Sequence, residues 1–416
     1  MSDFITGSLD DFLSLIESGT RPKGGVNLIG DIPSFGGENV TDQGKIRFYP
    51  VKKISKRFFT GMTRGHLQDL DVIINKDGAN TGKSTIYRNS PYRCATVNEH
   101  LFILRSKSEN LDQVFLHNYF QWSETKREIY KKITGSAQPG LNSTFVDNFP
   151  VSFPPLREQQ KIASILTSVD EVIEKTQSQI NKLEDLKKAT MNELLTRGIG
   201  HTEFKDSELG RIPKSWTVKP LSTLSDFVTS GSRGWSQYYS TYGAIFIRIG
   251  NLTRKNIYFD WTNVVRVTPP QNGEGTRTKV QKGDILISIT ADLGIIGVID
   301  SSETDAYVNQ HIALVRPRDS YVESSLWIGI YLSGAECQKQ FIEKNDAGAK
   351  SGLNLETIKR IYVAFPPLQE QSGITKILGS TDYEIRDKQL LLIKFKFLKK
   401  SLMQDLLTGK VRVTVN

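Results

Sequence analysis

The sequence predicts an α+β chain in which two mixed α/β domains alternate with two long helices. The helices pair as an antiparallel coiled coil, and the whole is an internal repeat with a pseudo-two-fold relation. Three observations carry this prediction. The sequence repeats itself at a fixed offset, each copy ends in a run with heptad apolar spacing, and each run follows a region of short β-rich stretches separated by turn residues.

The offset is 212 residues, from Gly140 to Gly352. Gly140-Leu141-Asn142 recurs as Gly352-Leu353-Asn354, and Phe153-Pro154-Pro155-Leu156 with Glu158-Gln159 recurs as Phe365-Pro366-Pro367-Leu368 with Glu370-Gln371. The register holds without a gap to Leu194-Leu195-Thr196 and Leu406-Leu407-Thr408, giving about 25 identities in 57 aligned positions, which chance does not produce. Upstream the echo is weaker: Asp71-Val72-Ile73-Ile74 against Asp284-Ile285-Leu286-Ile287, and Val97-Asn98-Glu99-His100 against Val308-Asn309-Gln310-His311. The predicted division is a first mixed domain over 1–150, a helical region over 151–200, a second mixed domain over 201–350 and a second helical region over 351–416.

Each helical region opens after two prolines, which fit poorly inside a helix but well just before one. Apolar residues then fall at Ile162, Leu166, Val169, Ile173, Ile180, Leu183 and Leu194, and in the second copy at Ile374, Leu378, Ile385, Leu392, Phe395, Leu402 and Leu406. That spacing is a coiled-coil seam. Thr176, Lys187 and Thr190 interrupt the first seam, and Thr381, Lys388 and Lys399 the second. Helices of this length are exposed unless they pack on each other. A hairpin that merely holds the chain together is the alternative to a functional scaffold.

In the mixed domains, strands are predicted over 71–75, 101–105, 244–249, 284–289 and 295–299, and a helical stretch closes each domain over 114–132 and 326–344. The junctions fall near 136–142, 197–213 and 350–354. The middle one, with Gly198, Gly200 and Gly210, reads as a linker before Ile212-Pro213-Lys214-Ser215-Trp216.

Composition excludes several classes. With 416 residues, 38% hydrophobic and 24% charged, the chain is globular. Two cysteines, Cys94 and Cys337, in opposite halves argue against a disulfide framework or a zinc ribbon and fit a reducing cytoplasm. No basic and apolar leader and no long apolar run point to export or a membrane. The stretch Gly78-Ala79-Asn80-Thr81-Gly82-Lys83-Ser84 lacks the glycine spacing that wraps phosphates in a P-loop. A turn presenting Asn80 and Lys83 to a partner's phosphate is the functional alternative to a plain turn. His66, His100, His117, His201 and His311 show no metal-ligand spacing, and His100 and His311, equivalent in the repeat, are expected to be buried and hydrogen-bonded. No nucleophile elbow, nuclease acid cluster or methyltransferase motif is present, so the chain reads as non-catalytic.

The charge is more informative. A net +9 and a pI near 9.2 suit a polyanionic partner. Between Gln43 and Gln68 stand Lys45, Arg47, Lys52, Lys53, Lys56, Arg57 and Arg64, with no acid among them and with Phe48, Tyr49, Phe58 and Phe59 interleaved. That pattern suits phosphate neutralisation with planar groups at base edges. The analogous region of the second half has Arg248, Arg254, Lys255, Arg266, Arg277, Lys279 and Lys282, diluted by Asp260 and Glu274, and the loop 231–239 offers Arg233, Trp235 and Gln237. The DNA-contact set is therefore Lys45, Arg47, Lys52, Lys53, Lys56, Arg57, Arg64, Asn80, Lys83, Arg233, Trp235, Gln237, Arg248, Arg254, Lys255, Arg277 and Lys279. A solvated basic surface, and an aromatic loop packing on its own domain, are the competing readings.

These residues carry a family resemblance over essentially the whole chain. The duplicated Pro-Pro-Leu-x-Glu-Gln at 154–159 and 366–371, each followed by a heptad helix, and Glu208-Leu209-Gly210-Arg211-Ile212-Pro213 ahead of Trp216 resemble the specificity subunit of a type I restriction-modification enzyme. The resemblance implies a cytoplasmic DNA-reading adaptor whose two target-recognition domains each read half of a bipartite double-stranded target. It further implies two modification (methyltransferase) subunits docked on the helices and, for cleavage, two restriction subunits. S-adenosylmethionine, ATP and magnesium would then belong to those partners, with no cofactor or metal on this chain. Two rivals from other classes are an NTP-dependent nucleic-acid enzyme using Gly78 to Ser84, and a coiled-coil structural adaptor without nucleic acid.

Overall fold

The computed structural model describes residues 4–25, 28–135, 139–231, 233–269, 273–301, 304–344 and 352–414. Residues 136–138 and 350–351 of two expected junctions, and Ser232 of the second-half loop, lie outside the described residues. The chain divides into two compact units, Met1–Gln177 with Leu390–Asn416, and Ser178–Gln389. Each unit thus holds one mixed domain and a piece of each long helix, Leu156–Arg197 and Leu368–Leu407.

In the first unit a four-stranded antiparallel sheet runs in the order Leu13–Ser18, Leu101–Ser106, Val72–Asn75, Ser84–Ile86. Val72, Ile73 and Ile74 are fully buried, covered on both faces, which is why this strand reads as an unbroken apolar run. A smaller sheet sets Ile32–Phe35 antiparallel to Lys52–Ile54 and parallel to Thr96–Val97. Ile5–Ser8 pairs with Pro150–Phe153 beside the start of the first long helix.

The second unit repeats this plan. Ser225–Ser230, Ile312–Pro317, Ile285–Ser288 and Ile296–Val298 form the equivalent antiparallel sheet, with a bulge at Ser225/Phe227 where the first unit has one at Leu13/Leu15. Ala244–Ile247 lies antiparallel to Val265–Val267 and parallel to Ala306–Val308. Side-chain fastenings are duplicated as well. Arg105 grips Asp71 through Nε and Nη2, both at 2.7 Å, and Arg316 grips Asp284 in the same bidentate manner at 2.8 and 2.7 Å. Asn39 Oδ1 accepts from Gly36 N and Asn251 Oδ1 from Arg248 N, each at 3.0 Å, closing matching turns.

Two expectations are corrected. Each domain-closing helical stretch is two helices: Gln113–Gln121 with Ser123–Lys132, and Ser325–Ser333 with Ala335–Glu343. The breaks fall at Trp122 and Gly334, both extended. At Gly334 a Cβ would stand 2.5 Å from Leu195 Cδ1, so the glycine permits close packing against the long helix. The middle junction is no loose linker, since Phe204–Ser207 and Gly210–Pro213 pair as a hairpin.

The Pro-Pro-Leu-x-Glu-Gln motif has a physical explanation in both units. Gln159 Nε2 donates to Pro154 O and Gln371 Nε2 to Pro366 O, each at 2.8 Å, tying the helix start to the strand before it. The glutamate holds the segment leaving the other long helix. Glu158 accepts from Arg412 Nε at 2.8 Å and Nη2 at 2.6 Å; Glu370 accepts from Ile199 N at 2.9 Å and Trp216 Nε1 at 3.1 Å and pairs with His201 at 2.8 Å.

The lysines that interrupt the seams are also explained within each unit. Lys399 reaches both Asp170 oxygens at 2.7 Å in the first, and Lys187 meets Asp382 at 2.5 Å in the second. Lys388 donates to Gln179 at 3.0 Å. In the first unit Ile162, Ala163 and Leu166 share a core with Met403, Leu406 and Leu407; in the second Leu195 shares one with Ile374 and Leu378. In each case residues early in one helix meet residues late in the other.

Glu158 yields a test of this anchoring. Hydrogen bonds from Arg412 hold its carboxyl below the ordinary value of 4.5. A depressed carboxylate pKa adds stability that is present above the unfolded value and is lost as pH falls through the folded one. Glu158→Gln is expected to lower first-unit stability by about 2 kcal/mol near neutral pH, since it replaces the charged acceptor of the Arg412 hydrogen bonds with a neutral one. In denaturant unfolding compared across pH, that difference should shrink below the ordinary carboxylate range.

Candidate nucleic-acid interface

The first-half basic stripe is built on the smaller sheet. Lys52 and Lys53 lie on the strand paired with Ile32–Phe35, and the chain then enters the helix Lys56–Gly61, whose N-cap Ser55 Oγ accepts from Phe58 N at 3.2 Å. Lys56 and Arg57 occupy a first turn with no acid, against the preference of a helix N-terminus for negative charge. Asp31 supplies the missing negative charge from outside the helix, its Oδ2 accepting from Lys56 N at 2.9 Å.

Among the described residues, Arg47, Lys53, Lys56, Arg57 and Arg64 make no ion pair. Lys45 pairs with Glu174 at 2.7 Å and Lys52 with Glu38 at 2.9 Å. Of the interleaved aromatics, Phe48 packs edge-on against Phe35, Tyr87 and Tyr92 inside the domain, whereas Tyr49 is exposed.

Asn80 and Lys83, assigned above to a phosphate-presenting turn, face the protein. Asn80 Nδ2 donates to Gly37 O at 3.0 Å, and Lys83 Nζ bonds Asn80 Oδ1 at 2.7 Å and Asp42 at 2.6 Å. Lys83 holds the Asp42 carboxyl below its usual range. The turn is closed by its own chemistry.

In the second unit Trp235, assigned above to the DNA edge, is buried, stacked on Phe246 with centroids 5.1 Å apart and rings 6° from parallel. An indole so enclosed has no face left for a base. Arg233 and Gln237 on the same loop are exposed, and Arg233 has no ion pair among the described residues. Arg254 is committed to Asp292, Gln338 and Leu293 O; Arg277 to Thr229 and Ser230 O. Lys279 pairs with Asp305 at 3.1 Å, which raises its pKa, and lies over the Tyr307 ring. Arg248 is half-buried with Nε lacking a partner among the described residues, and Lys255 is exposed. Cations without an ion pair among the described residues are thus concentrated in the first stripe, whereas Arg254, Arg277 and Lys279 of the second are held by neighbours in their own domain.

His100 and His311 are not buried as expected. His100 is 42% exposed and bonds Asp77 through Nδ1 at 2.6 Å; His311 is part-exposed and bonds Thr290 at 2.8 Å. Sequence reasoning also missed Arg21, Asp77 and Glu99, which cluster here; the available signal was their position at the repeat offset, beside the two histidine turns. No group of His, Cys, Asp and Glu able to hold a metal occurs among the described residues, and no helix among them is long and apolar enough to cross a membrane.

Comparison with known proteins places this framework. Residues 1–185 and 213–394 match the family described as the type I restriction modification DNA specificity domain. The putative type I restriction enzyme MjaX specificity subunit of Methanocaldococcus jannaschii is 28% identical over 419 aligned residues, covering 99% of this chain and 94% of that protein. The MjaVIII specificity subunit of the same organism is 25% identical over 82% of this chain and 79% of its own length. Among solved structures, the type I restriction-modification S subunit from M. genitalium matches with a TM-score of 0.59 at 16% identity, covering 97% of this chain and 96% of that one. A chain from a study of type I R-M complex assembly and conformational transition matches with a TM-score of 0.60 at 17% identity, covering 99% of both. With a fold shared end to end and the family matched in both halves, this chain belongs to the type I restriction-modification specificity subunits.

Proposed function

We propose that this chain is a non-catalytic DNA-reading adaptor. Its two recognition domains, 1–150 and 201–350, each read one half of a bipartite double-stranded target. The helical regions, 151–200 and 351–416, pair as an antiparallel coiled coil that sets the gap between halves and docks two modification subunits; two restriction subunits join for cleavage. S-adenosylmethionine, ATP and magnesium belong to those partners, and the assembly works in the cytoplasm.

The observation that carries this reading is the duplication of one domain framework under two different surfaces. Two copies of a fold, kept alike in sheet order, bulge and buried ion pair but unlike in outward chemistry, are what two different half-sites require. Docking is supported by the exposed Leu390, Ile393, Phe397 and Leu398 on the second long helix, large apolar groups that a free helix would not keep in water. The inward commitment of Asn80 and Lys83 speaks against an NTP-driven reading, and the first-stripe cations that make no ion pair among the described residues, Arg47, Lys53, Lys56, Arg57 and Arg64, against a scaffold that ignores DNA.

The first stripe provides the test. Lys53→Ala and Arg57→Ala in the assembled methyltransferase are expected to weaken DNA binding alike on target and non-target duplexes. Each lost phosphate contact should lower the slope of log K against log salt by about one. A slope unchanged across Arg47, Lys53, Lys56, Arg57 and Arg64 would place DNA on another face.

A further inference from the structure

The turn after the last strand of the smaller sheet is built identically in both domains. Asn98 N donates to Phe35 O at 2.9 Å and Asn309 N to Ile247 O at 3.1 Å, each at the end of the parallel strand pair. Both asparagines are buried, and each side chain turns back to accept from the histidine two residues on, at 2.9 Å for His100 and 3.1 Å for His311. A second segment packs against each turn through a glycine that nothing larger can replace. A Cβ at Gly19 would stand 1.6 Å from Val97 O, and one at Gly231 would stand 2.2 Å from Val308 O. Two residues beyond these glycines come Arg21 and Arg233, which correspond at the 212-residue offset. Framework positions are thus kept: Gly, Arg, Asn, His.

The residues projecting from that frame differ. Where the first domain has Glu99, the second has Gln310; where His100 Nδ1 meets Asp77, His311 Nδ1 meets Thr290. In the first domain Arg21 Nε lies 2.7 Å from Glu99 Oε1, and His100 Nε2 lies 3.3 Å from the same oxygen. In the second, Gln310 Nε2 meets His311 Nε2 at 3.1 Å, and Arg233 has no ion pair among the described residues. A network serving only stability would need its acids in both copies. Here the acids are replaced by neutral groups of the same reach while the buried frame is retained.

We propose that these two turns are the base-reading edges of the two domains, and that the exchange of Glu99 for Gln310 is a determinant of why the halves of the target differ. This rests on the DNA-reading function proposed above. The chemistry suits base edges in the major groove: a carboxylate accepts from the cytosine amino group, a carboxamide bonds adenine at N6 and N7, and a guanidinium bonds guanine at O6 and N7. Lys52, opposite Ser34 at this end of the first sheet and paired with Glu38 in the free protein, and Arg248, next to the Ile247 carbonyl that accepts from Asn309 N, are the basic neighbours that take the flanking phosphates in this proposal. Arg21 covers Glu99 in the free protein, so DNA binding turns Arg21 outward and uncovers the carboxylate.

The experiment uses the chain assembled with its modification subunits. Domain exchange first assigns each half-site to its domain, and the preference at every base pair is then read for the wild type, Glu99→Gln and Gln310→Glu by methylation of randomised duplexes and by competition with singly substituted duplexes. Glu99→Gln, which preserves shape, should change discrimination at one base pair of the first domain's half by about five-fold to a hundred-fold and leave the other half intact. Gln310→Glu should do the same in the other half. The retained half also reports that the variant is folded. A wild type with a bipartite target and both variants with unchanged preferences at every position would overturn the assignment. A wild type with no defined target would instead overturn the DNA-reading function on which it rests.

Discussion

Asp382→Ala is expected to destabilise the second unit by about 3 kcal/mol, and the double variant Lys187→Leu with Asp382→Leu to recover most of that loss. The two side chains are only 13% and 15% exposed, so removing the acid leaves an enclosed ammonium with the Lys255 carbonyl, at 2.7 Å, but without its counter-charge. Burial pushes the Asp382 carboxyl up even with Lys187 beside it. Replacing both charges with apolar groups removes the desolvation cost together with the attraction. Lys399 with Asp170 in the first unit is the same pair at the repeat offset, at 21% and 28% exposure, and should respond in the same direction with a smaller amplitude. Denaturant unfolding of the wild type, Lys187→Leu, Asp382→Leu and the double variant, all in the full chain, measures the coupling, with Asp382→Ala run beside them. An Asp382→Ala loss under about 0.5 kcal/mol, the range of an exposed pair, would mean that the lysine is solvated and the pair ornamental.

A larger functional effect is expected from adding one heptad at matching places in both helical regions. Seven residues keep the apolar seam in register and lengthen each helix by about 10 Å. That is close to three base-pair steps of duplex, with a rotation of about 100° about the DNA axis. Methylation of a library with every spacer length should show weakened activity on the natural spacer and a preferred spacer longer by about three base pairs, with the two half-sites unchanged. An optimum that stays in place at full activity would leave the helices a docking role and remove their measuring role.

Much of this was legible in the sequence because a repeat lets one half interpret the other. The buried strands at 72–75 and 285–288 and both long helices follow from apolar spacing alone, since burial on both faces or along one seam dictates residue type directly. The defects in the seam were visible but not interpretable. Lys187 and Lys399 make sense only with Asp382 and Asp170 opposite, and that pairing depends on a register no local pattern contains. Side-chain direction was the other failure. Lys83 and Trp235 stand in segments of the right composition, yet Lys83 is held by Asn80 within its own turn and by the sequence-distant Asp42, and Trp235 is drawn inward onto Phe246. Trp122 and Gly334 broke helices that apolar spacing ran together, because tertiary packing decided there.

The central claim is that one framework, used twice, reads two halves of a target independently. Exchanging residues 213–350 for the equivalent segment of a related specificity subunit, then mapping methylated bases in a host carrying the assembled enzyme, tests it most directly. The expected result is a bipartite motif with one half replaced and the other retained. A motif changed in both halves, or a single uninterrupted target, would contradict it.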